Sequence, residues 1–175
     1  MRKTLISLLM VGVLSLLLGC EPAPQISSSS APPASSNEVN MSLEEIAESN
    51  SARIGELGKS YPIQPKGGFS IDSVTYYPEF NIGSEVLKNT VVLDVIGDYD
   101  MLVAFTSDYS YGDLRTVKDE SIDELETWVY RDHENDKLYI IYCSPEDVSN
   151  YQYFLIGGFE TNKNDGKNKL IFEIK

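Results

Sequence analysis

The chain has 175 residues, with 27 acidic and 14 basic side chains, a single histidine and a net charge of −13. Such an acidic protein repels phosphate backbones, so the composition argues against a nucleic-acid partner. The single histidine excludes multi-histidine metal sites, and the two cysteines allow at most one intramolecular disulfide.

The N-terminus has the layout of a secretory leader. Arg2 and Lys3 form a positive region, and residues 5–18 form an uncharged apolar run. This run is shorter than the ~18 apolar residues that a membrane-spanning helix needs. It ends in Leu-Leu-Gly-Cys at residues 17–20, where small Gly19 precedes Cys20.

Residues 17–20 resemble the lipobox of bacterial lipoproteins, and Cys20 matches the modified cysteine of that family. The resemblance implies that the Cys20 thiol receives diacylglyceryl, that the leader 1–19 is removed, and that fatty acid such as palmitate acylates the new amino group. It implies a lipid-anchored protein of the cell envelope. Glu21 after the cysteine favours the outer membrane if the cell is Gram-negative; in a Gram-positive cell the anchor lies in the outer face of the cell membrane. A plain secretory peptide and an uncleaved anchor are the alternatives.

A tether is predicted to follow the lipidated cysteine, within residues 20–40. Residues 21–40 contain four prolines and six serines, a composition that cannot bury enough apolar surface to become ordered. Such a tether reaches about 25 Å as a coil and about 60 Å when extended. Removal of Arg2 and Lys3 leaves 12 basic against 27 acidic residues, a net charge of −15, which favours separation from an anionic membrane surface.

Residues 41–175 are predicted to form one acidic, tyrosine-rich domain that begins with a helix. Ser42 and Glu45 have capping-box spacing, and the helix is predicted to continue to about Leu57, near Gly55 and Gly58. From residue 69 onward, runs rich in Val, Ile, Tyr, Phe and Thr predict strands. These strands are residues 69–77, 90–97, 101–107, 125–132, 137–143, 151–159 and 169–175.

The connections between the later strands are short and polar, and the last contains the turn signal Asp165-Gly166. Short connections suit antiparallel neighbours rather than parallel crossovers. The sequence therefore predicts a mainly β, α+β fold. We expect an antiparallel meander, arranged as a sandwich or an open barrel, with about six to seven strands and one N-terminal helix.

The predicted hairpin around His133 sets the distance between the single histidine and the Cys143 thiol. Pairing Asp132 with Lys137 places Glu126 opposite Cys143 and puts His133 in the turn, roughly 20 Å from the thiol. A nucleophile needs its base within hydrogen-bond reach. We therefore expect His133 to be an exposed turn residue and Cys143 to be a small buried apolar side chain, with thiol reactivity or intermolecular pairing as the alternative.

Catalytic and cofactor motifs are absent from the sequence. Asp94, Asp98 and Asp100 lie near Gly97 but lack the spacing of a calcium loop, and turn chemistry explains them. No nucleotide-binding, nucleophile-elbow or zinc-protease motif is present. The sequence therefore predicts no cofactor, no metal site and no catalytic residue.

Binding is predicted at residues 107–114, a predicted loop in which tyrosines interleave with acids, and in the acidic segment 119–136 that follows. Tyrosine offers a large amphipathic contact area at low entropic cost. The candidate binding residues are two tyrosines and five acids: Tyr109, Tyr111, Asp108, Asp113, Glu120, Asp123 and Glu124.

These features predict an envelope lipoprotein whose acidic domain is a non-catalytic binding module. The lipid bilayer is one partner, through Cys20, and a basic protein is the possible second partner. Two alternatives stay open. One is a carboxylate-dependent enzyme acting on envelope glycans, which requires two acids in a concave, tyrosine-lined pocket. The other is an accessory structural lipoprotein without a separate ligand.

Overall fold

The computed structural model describes residues 40–63, 67–161 and 166–175. The leader, Cys20 and nearly all of the tether lie outside these residues, as does Asp165 of the predicted final turn. In chain order the elements are α1 (Leu43–Ser49), β1 (Arg53–Ile54), β2 (Ser60–Pro62), β3 (Gly68–Ile82), β4 (Glu85–Ile96), α2 (Tyr99–Asp108), β5 (Tyr111–Arg115), β6 (Ser121–Ile122), β7 (Glu126–Asp132), β8 (Lys137–Cys143), β9 (Tyr153–Gly157) and β10 (Lys169–Glu173).

The strands form two sheets. Sheet A has the order β1-β10-β9-β5-β6, and sheet B has the order β2-β3-β4-β8-β7. One face of each sheet contributes to a shared hydrophobic core, with Phe69, Leu93 and Ile140 from sheet B and Phe154 and Ile156 from sheet A. The prediction of a mainly β, sandwich-like α+β fold is confirmed.

Helix α1 begins at the predicted capping box and covers the outer face of sheet A. The Glu45 amide donates to Ser42 Oγ at 3.3 Å, and the Ser42 amide donates to Glu45 Oε2 at 2.8 Å. The helix buries Ile46 against Leu155 of β9 and Ile171 of β10. One outer face of the sandwich is therefore closed by a packed helix.

This helix is shorter than predicted, because it ends at Ser49 rather than near Leu57. The side chain of Asn50 donates from Nδ2 to the Ile46 carbonyl at 2.9 Å. Ser51 follows with φ of 51°, in the left-handed region, which stops a right-handed helix. The chain then forms β1 beside β10.

The predicted strand 101–107 is wrong, because these residues belong to helix α2. The Met101 amide donates to Asp98 Oδ1 at 3.0 Å, so Asp98 is the N-cap. Leu102 and Phe105, three positions apart, are fully buried in the shared core. Three-residue spacing places both side chains on one face of a helix, and this packing overrides the strand propensity of the segment.

The predicted loop 107–114 is also wrong, since it contains the end of α2 and most of β5. The described residues form two helices and ten strands, whereas the sequence predicts one helix and six or seven strands. Three of the additional strands, β1, β2 and β6, contain only two or three residues. The order is not a simple meander, because β8 pairs with β4, and β1 pairs with β10 in parallel.

The β7–β8 hairpin has the predicted register. Asp132 lies opposite Lys137, and Glu126 lies opposite Cys143. His133 is exposed in the turn. Cys143 is a free, buried cysteine, 8% exposed. The expectations for both residues are confirmed.

Candidate functional site

The outer face of sheet B presents side chains of neighbouring strands in register. The β7–β8 pairs on this face are Glu126 with Cys143, Trp128 with Ile141, Tyr130 with Tyr139, and Asp132 with Lys137. Strand β4 extends the first three rows with Thr90, Val92 and Asp94. Because side chains alternate along a strand, these residues share one face. Val92, Ile141 and Cys143 form a cluster separate from the main core.

Four aromatic rings make consecutive contacts across this face. The centroids of Tyr77 and Phe80 are 5.2 Å apart, and those of Phe80 and Tyr139 are 5.6 Å apart. The rings of Tyr139 and Tyr130 are nearly parallel, with centroids 6.4 Å apart and an interplanar angle of 9°. We call these four residues the aromatic strip. Their rings are partly exposed, and aromatic surface of this kind binds cations through the negative face of the ring.

The end of the β3–β4 hairpin, residues 78–88, lies against this face, and we call it the hairpin arm. Asn89, just after it, has φ of 49°. Phe80 and Leu87 of the arm pack against the cluster that contains Val92 and Ile141. The strands are therefore longer than predicted, and their extension brings Phe80 to Tyr139.

A cavity of about 440 Å³ lies between the hairpin arm and the first row of the face. It is lined by Val86, Leu87, Lys88, Glu124, Glu126, Cys143, Ser144 and Pro145. Burial raises the pKa of the Cys143 thiol to about 11, and the negative charge of Glu126 adds to this shift. We call this space the arm cavity. It combines apolar walls with the carboxylates of Glu124 and Glu126 and the ammonium group of Lys88.

The opposite end of the face is acidic. Lys137 Nζ donates to Asp94 Oδ2 at 2.6 Å, and this hydrogen bond, with the charge of Asp94, raises the pKa of Lys137. Burial raises the pKa of Tyr139, and the charges of Asp94 and Asp132 raise it further. Asp72 also acts electrostatically on Lys137. Asp94 and Asp72 therefore act on the ammonium group of Lys137, and Asp132 lies opposite Lys137 in the β7–β8 pair, so carboxylates outnumber ammonium groups at this end.

Trp128 lies between the two ends of the face. Its indole Nε1 is buried and has no hydrogen-bond partner. A buried donor of this kind costs free energy in the folded protein. The face therefore contains a buried hydrogen-bond donor without an acceptor.

Two of the predicted binding residues, Tyr109 and Tyr111, lie beside sheet A. Tyr109 follows α2, and Tyr111 begins β5; they are 42% and 45% exposed. The Tyr111 ring occupies the space above Gly157, and Lys169 Nζ lies 5.8 Å from its centroid. These tyrosines have exposed surface but are separate from the aromatic strip in both sequence and sheet.

Asp113 is buried rather than presented in a loop. Its Oδ2 accepts from Arg115 Nε at 3.0 Å, and Arg115 also donates to Asp119. Asp119 in turn accepts hydrogen bonds from Ser49 and Asn50 at the end of α1. Burial raises the pKa of Asp113, against the opposing effect of Arg115. These residues, the Asp113–Arg115–Asp119 network, connect α1 to β5.

The other predicted acids, Asp108, Glu120, Asp123 and Glu124, are exposed. The negative charge of Asp123 raises the pKa of Asp113. Glu124 lines the arm cavity. The aromatic strip was not among the predicted residues, although the predicted hairpin register already places Tyr130 opposite Tyr139 by counting.

The described ranges bear on metal binding and on membrane crossing. There, no three His, Cys, Asp or Glu side chains are grouped so that they can hold a metal ion. Of the aspartates near Gly97, Asp94 accepts from Lys137 and Asp98 caps α2. None of the helices in the described part of the chain has the length and apolarity required to cross a membrane.

Comparison with protein-family models, curated proteins and solved structures finds no match to this chain.

Proposed function

We propose that this protein is a lipid-anchored lipoprotein of the cell envelope whose acidic β domain is a non-catalytic binding module. We propose further that the outer face of sheet B binds a basic segment of another protein. The observation that supports this assignment is the aromatic strip, which lies between the acidic end of the face and the two carboxylates of the arm cavity.

The chemistry of the face suits cationic side chains. An arginine or lysine over a tyrosine ring contributes about 0.5–2 kcal/mol, more when water is excluded. Asp94 and Asp132 add Coulombic attraction at one end of the strip. The excess of acidic residues over the whole chain accelerates encounter with a basic partner.

The glycan-enzyme alternative has one candidate pocket, of about 330 Å³, which Asp98, Tyr99 and Asp136 help to line. Both of its acids already have partners, because Asp98 caps α2 and Asp136 pairs with Arg131. Glu124 and Glu126 share the arm cavity, but none of the residues lining it is a tyrosine. The condition of a tyrosine-lined pocket with two acids is not met at this cavity.

The binding proposal is tested with the full-length protein in neutral lipid nanodiscs. A fluorescent peptide of alternating arginine and glycine is titrated, and its anisotropy is recorded at low and at physiological ionic strength. We expect saturable binding that weakens with salt and loses about tenfold in affinity in Tyr139→Ala. Tyr111→Ala is the matched control, because it removes an exposed tyrosine from sheet A. Equal losses in both variants, or no binding to wild type, would overturn the proposed face.

The anchor is tested separately. Mass spectrometry of the mature N-terminus is expected to find an acylated Cys20. Cys20→Ser is expected to move the protein from the membrane fraction to the soluble fraction. An unmodified Cys20 in membrane-associated protein would contradict the lipoprotein assignment.

A further inference from the structure

We propose that the outer face of sheet B takes an extended peptide in which an arginine and a leucine-sized apolar residue stand four positions apart. The arginine lies on Tyr130 and Tyr139, and the apolar side chain enters the arm cavity. This inference rests on the proposed function, because it specifies which basic segments that face accepts.

The arginine position follows from the third row of the face. The rings of Tyr130 and Tyr139 are parallel within 9°, and Asp94 continues their row on β4. A guanidinium group is planar and stacks on aromatic rings, whereas an ammonium group acts as a point charge. Asp132 lies in the neighbouring row; its carboxylate accepts hydrogen bonds from Glu134 and Asn135 in the turn, and its negative charge still acts on Tyr139.

The apolar position follows from the arm cavity. Its walls include Val86, Leu87 and Pro145, and its volume of about 440 Å³ admits a branched aliphatic side chain. Cys143 at this site is protonated at neutral pH, because its pKa is raised to about 11. The thiol therefore contributes apolar surface rather than charge.

The spacing follows from the register of β8. Tyr139 and Cys143 are four residues apart on one strand and share a face. Ile141 between them is fully buried in the cluster against which Phe80, Leu87 and Trp128 pack, so the peptide passes over those side chains. At about 3.3 Å per residue, the two positions are about 13 Å apart. An extended peptide has the same rise, so its residues i and i+4 point to the same side at the same separation. Residues i and i+3 point to opposite sides.

The charge of the face selects the occupant. Glu124 and Glu126 line the arm cavity together with Lys88. At the other end Asp94 contacts Lys137, Asp72 acts on Lys137 through its charge, and Asp132 acts in the same way on Tyr139. An acidic or neutral segment gains nothing from these groups, whereas a basic segment neutralises them. A basic extended peptide is therefore the occupant that the electrostatics favour.

The test uses full-length protein in neutral nanodiscs and synthetic peptides with capped ends in a glycine–serine–threonine background. One peptide has arginine and leucine at i and i+4, a second has them at i and i+3, and a third has lysine in place of arginine. We expect the first to bind about tenfold more tightly than either of the others. Equal affinity of all three would overturn this inference and leave basic-segment binding intact. Failure of every arginine peptide to bind would contradict the proposed function itself.

Two variants assign the positions. Val86→Arg adds a cation to the arm cavity at a side chain that is 52% exposed. It is expected to abolish the preference for leucine over serine at i+4, while retaining arginine binding. Val103→Arg, at an exposed valine on α2, is the matched control and is expected to leave the preference unchanged. Equal loss in both variants would show that added positive charge, and not the cavity, causes the effect.

Discussion

The outer faces of the two sheets are built differently. The outer face of sheet A is covered by α1, whose Ile46 packs on Leu155 and Ile171. The Asp113–Arg115–Asp119 network adds hydrogen bonds to the end of that helix. Neither helix of the described residues covers the outer face of sheet B; the hairpin arm covers only part of it, and the aromatic strip keeps exposed surface. Polar groups stabilise the packing of a helix on the first face, whereas the second face keeps exposed aromatic surface.

The largest expected effect is on the covered face. Ile46→Ala removes a fully buried side chain and is expected to lower the free energy of unfolding by about 2–5 kcal/mol. Arginine-peptide binding at the other face stays unchanged. Urea unfolding measures the loss, with Val86→Ala on the hairpin arm as a control expected to change stability by about 0.5 kcal/mol or less. Similar losses in both variants would contradict the contrast between the faces.

The ion pairs of the two faces are also expected to differ. Arg115→Met leaves buried Asp113 without its cation and is expected to cost about 1–3 kcal/mol in chemical unfolding. Lys137→Met breaks the more exposed pair with Asp94 on sheet B and is expected to cost less. A larger loss for the Lys137 variant would contradict the inference that the buried Arg115–Asp113 pair stabilises the fold more than the exposed Lys137–Asp94 pair does.

A smaller coupling is expected within the aromatic strip. A double-mutant cycle of Tyr130→Leu and Tyr139→Leu is expected to give an interaction energy of about 0.5–1.5 kcal/mol, because the two rings stack. Tyr111→Leu paired with Tyr139→Leu is the control, and these effects are expected to add because no contact joins the two tyrosines. Additivity in both cycles would mean that the Tyr130–Tyr139 contact contributes nothing to stability.

The smallest effect concerns two aspartates whose pKa values shift in opposite directions. Burial raises the pKa of Asp113, so its contribution to stability falls as pH rises from 3.8 through its folded-state value. A hydrogen bond from Asn135 lowers the pKa of Asp132, so its contribution is present above 3.8 and is lost as pH falls through its folded-state value. Carbon-detected NMR titration is expected to find Asp113 titrating at higher pH than Asp132. The reverse order would be inconsistent with the burial of Asp113.

Local signals in the sequence predicted part of this architecture. The capping box at Ser42 and the register of the β7–β8 hairpin follow from neighbouring residues, and both are confirmed. Helix α2 was mistaken for a strand because its apolar residues suit either element, and only burial of Leu102 and Phe105 in the shared core decides between them. Elements that depend on neighbouring residues are therefore predictable from the sequence, and elements that depend on tertiary packing are not.

The candidate site is likewise predictable only where it depends on residues close in the sequence. Counting along the hairpin places Tyr130 opposite Tyr139, but the sequence does not show that β4 pairs with β8 or that the hairpin arm brings Phe80 to Tyr139. The sequence places Asp113 in a binding loop because a short strand inside an acidic, tyrosine-rich segment has little periodicity to identify it. Its burial depends on contacts with residues distant in the sequence.

The most direct test of the binding face is NMR mapping of the backbone amides during titration with the i, i+4 arginine–leucine peptide. We predict shift changes concentrated in β7, β8 and the hairpin arm, with Tyr130, Tyr139 and Cys143 among the most affected. Changes confined instead to Tyr109, Tyr111 and the neighbouring part of sheet A would contradict this account.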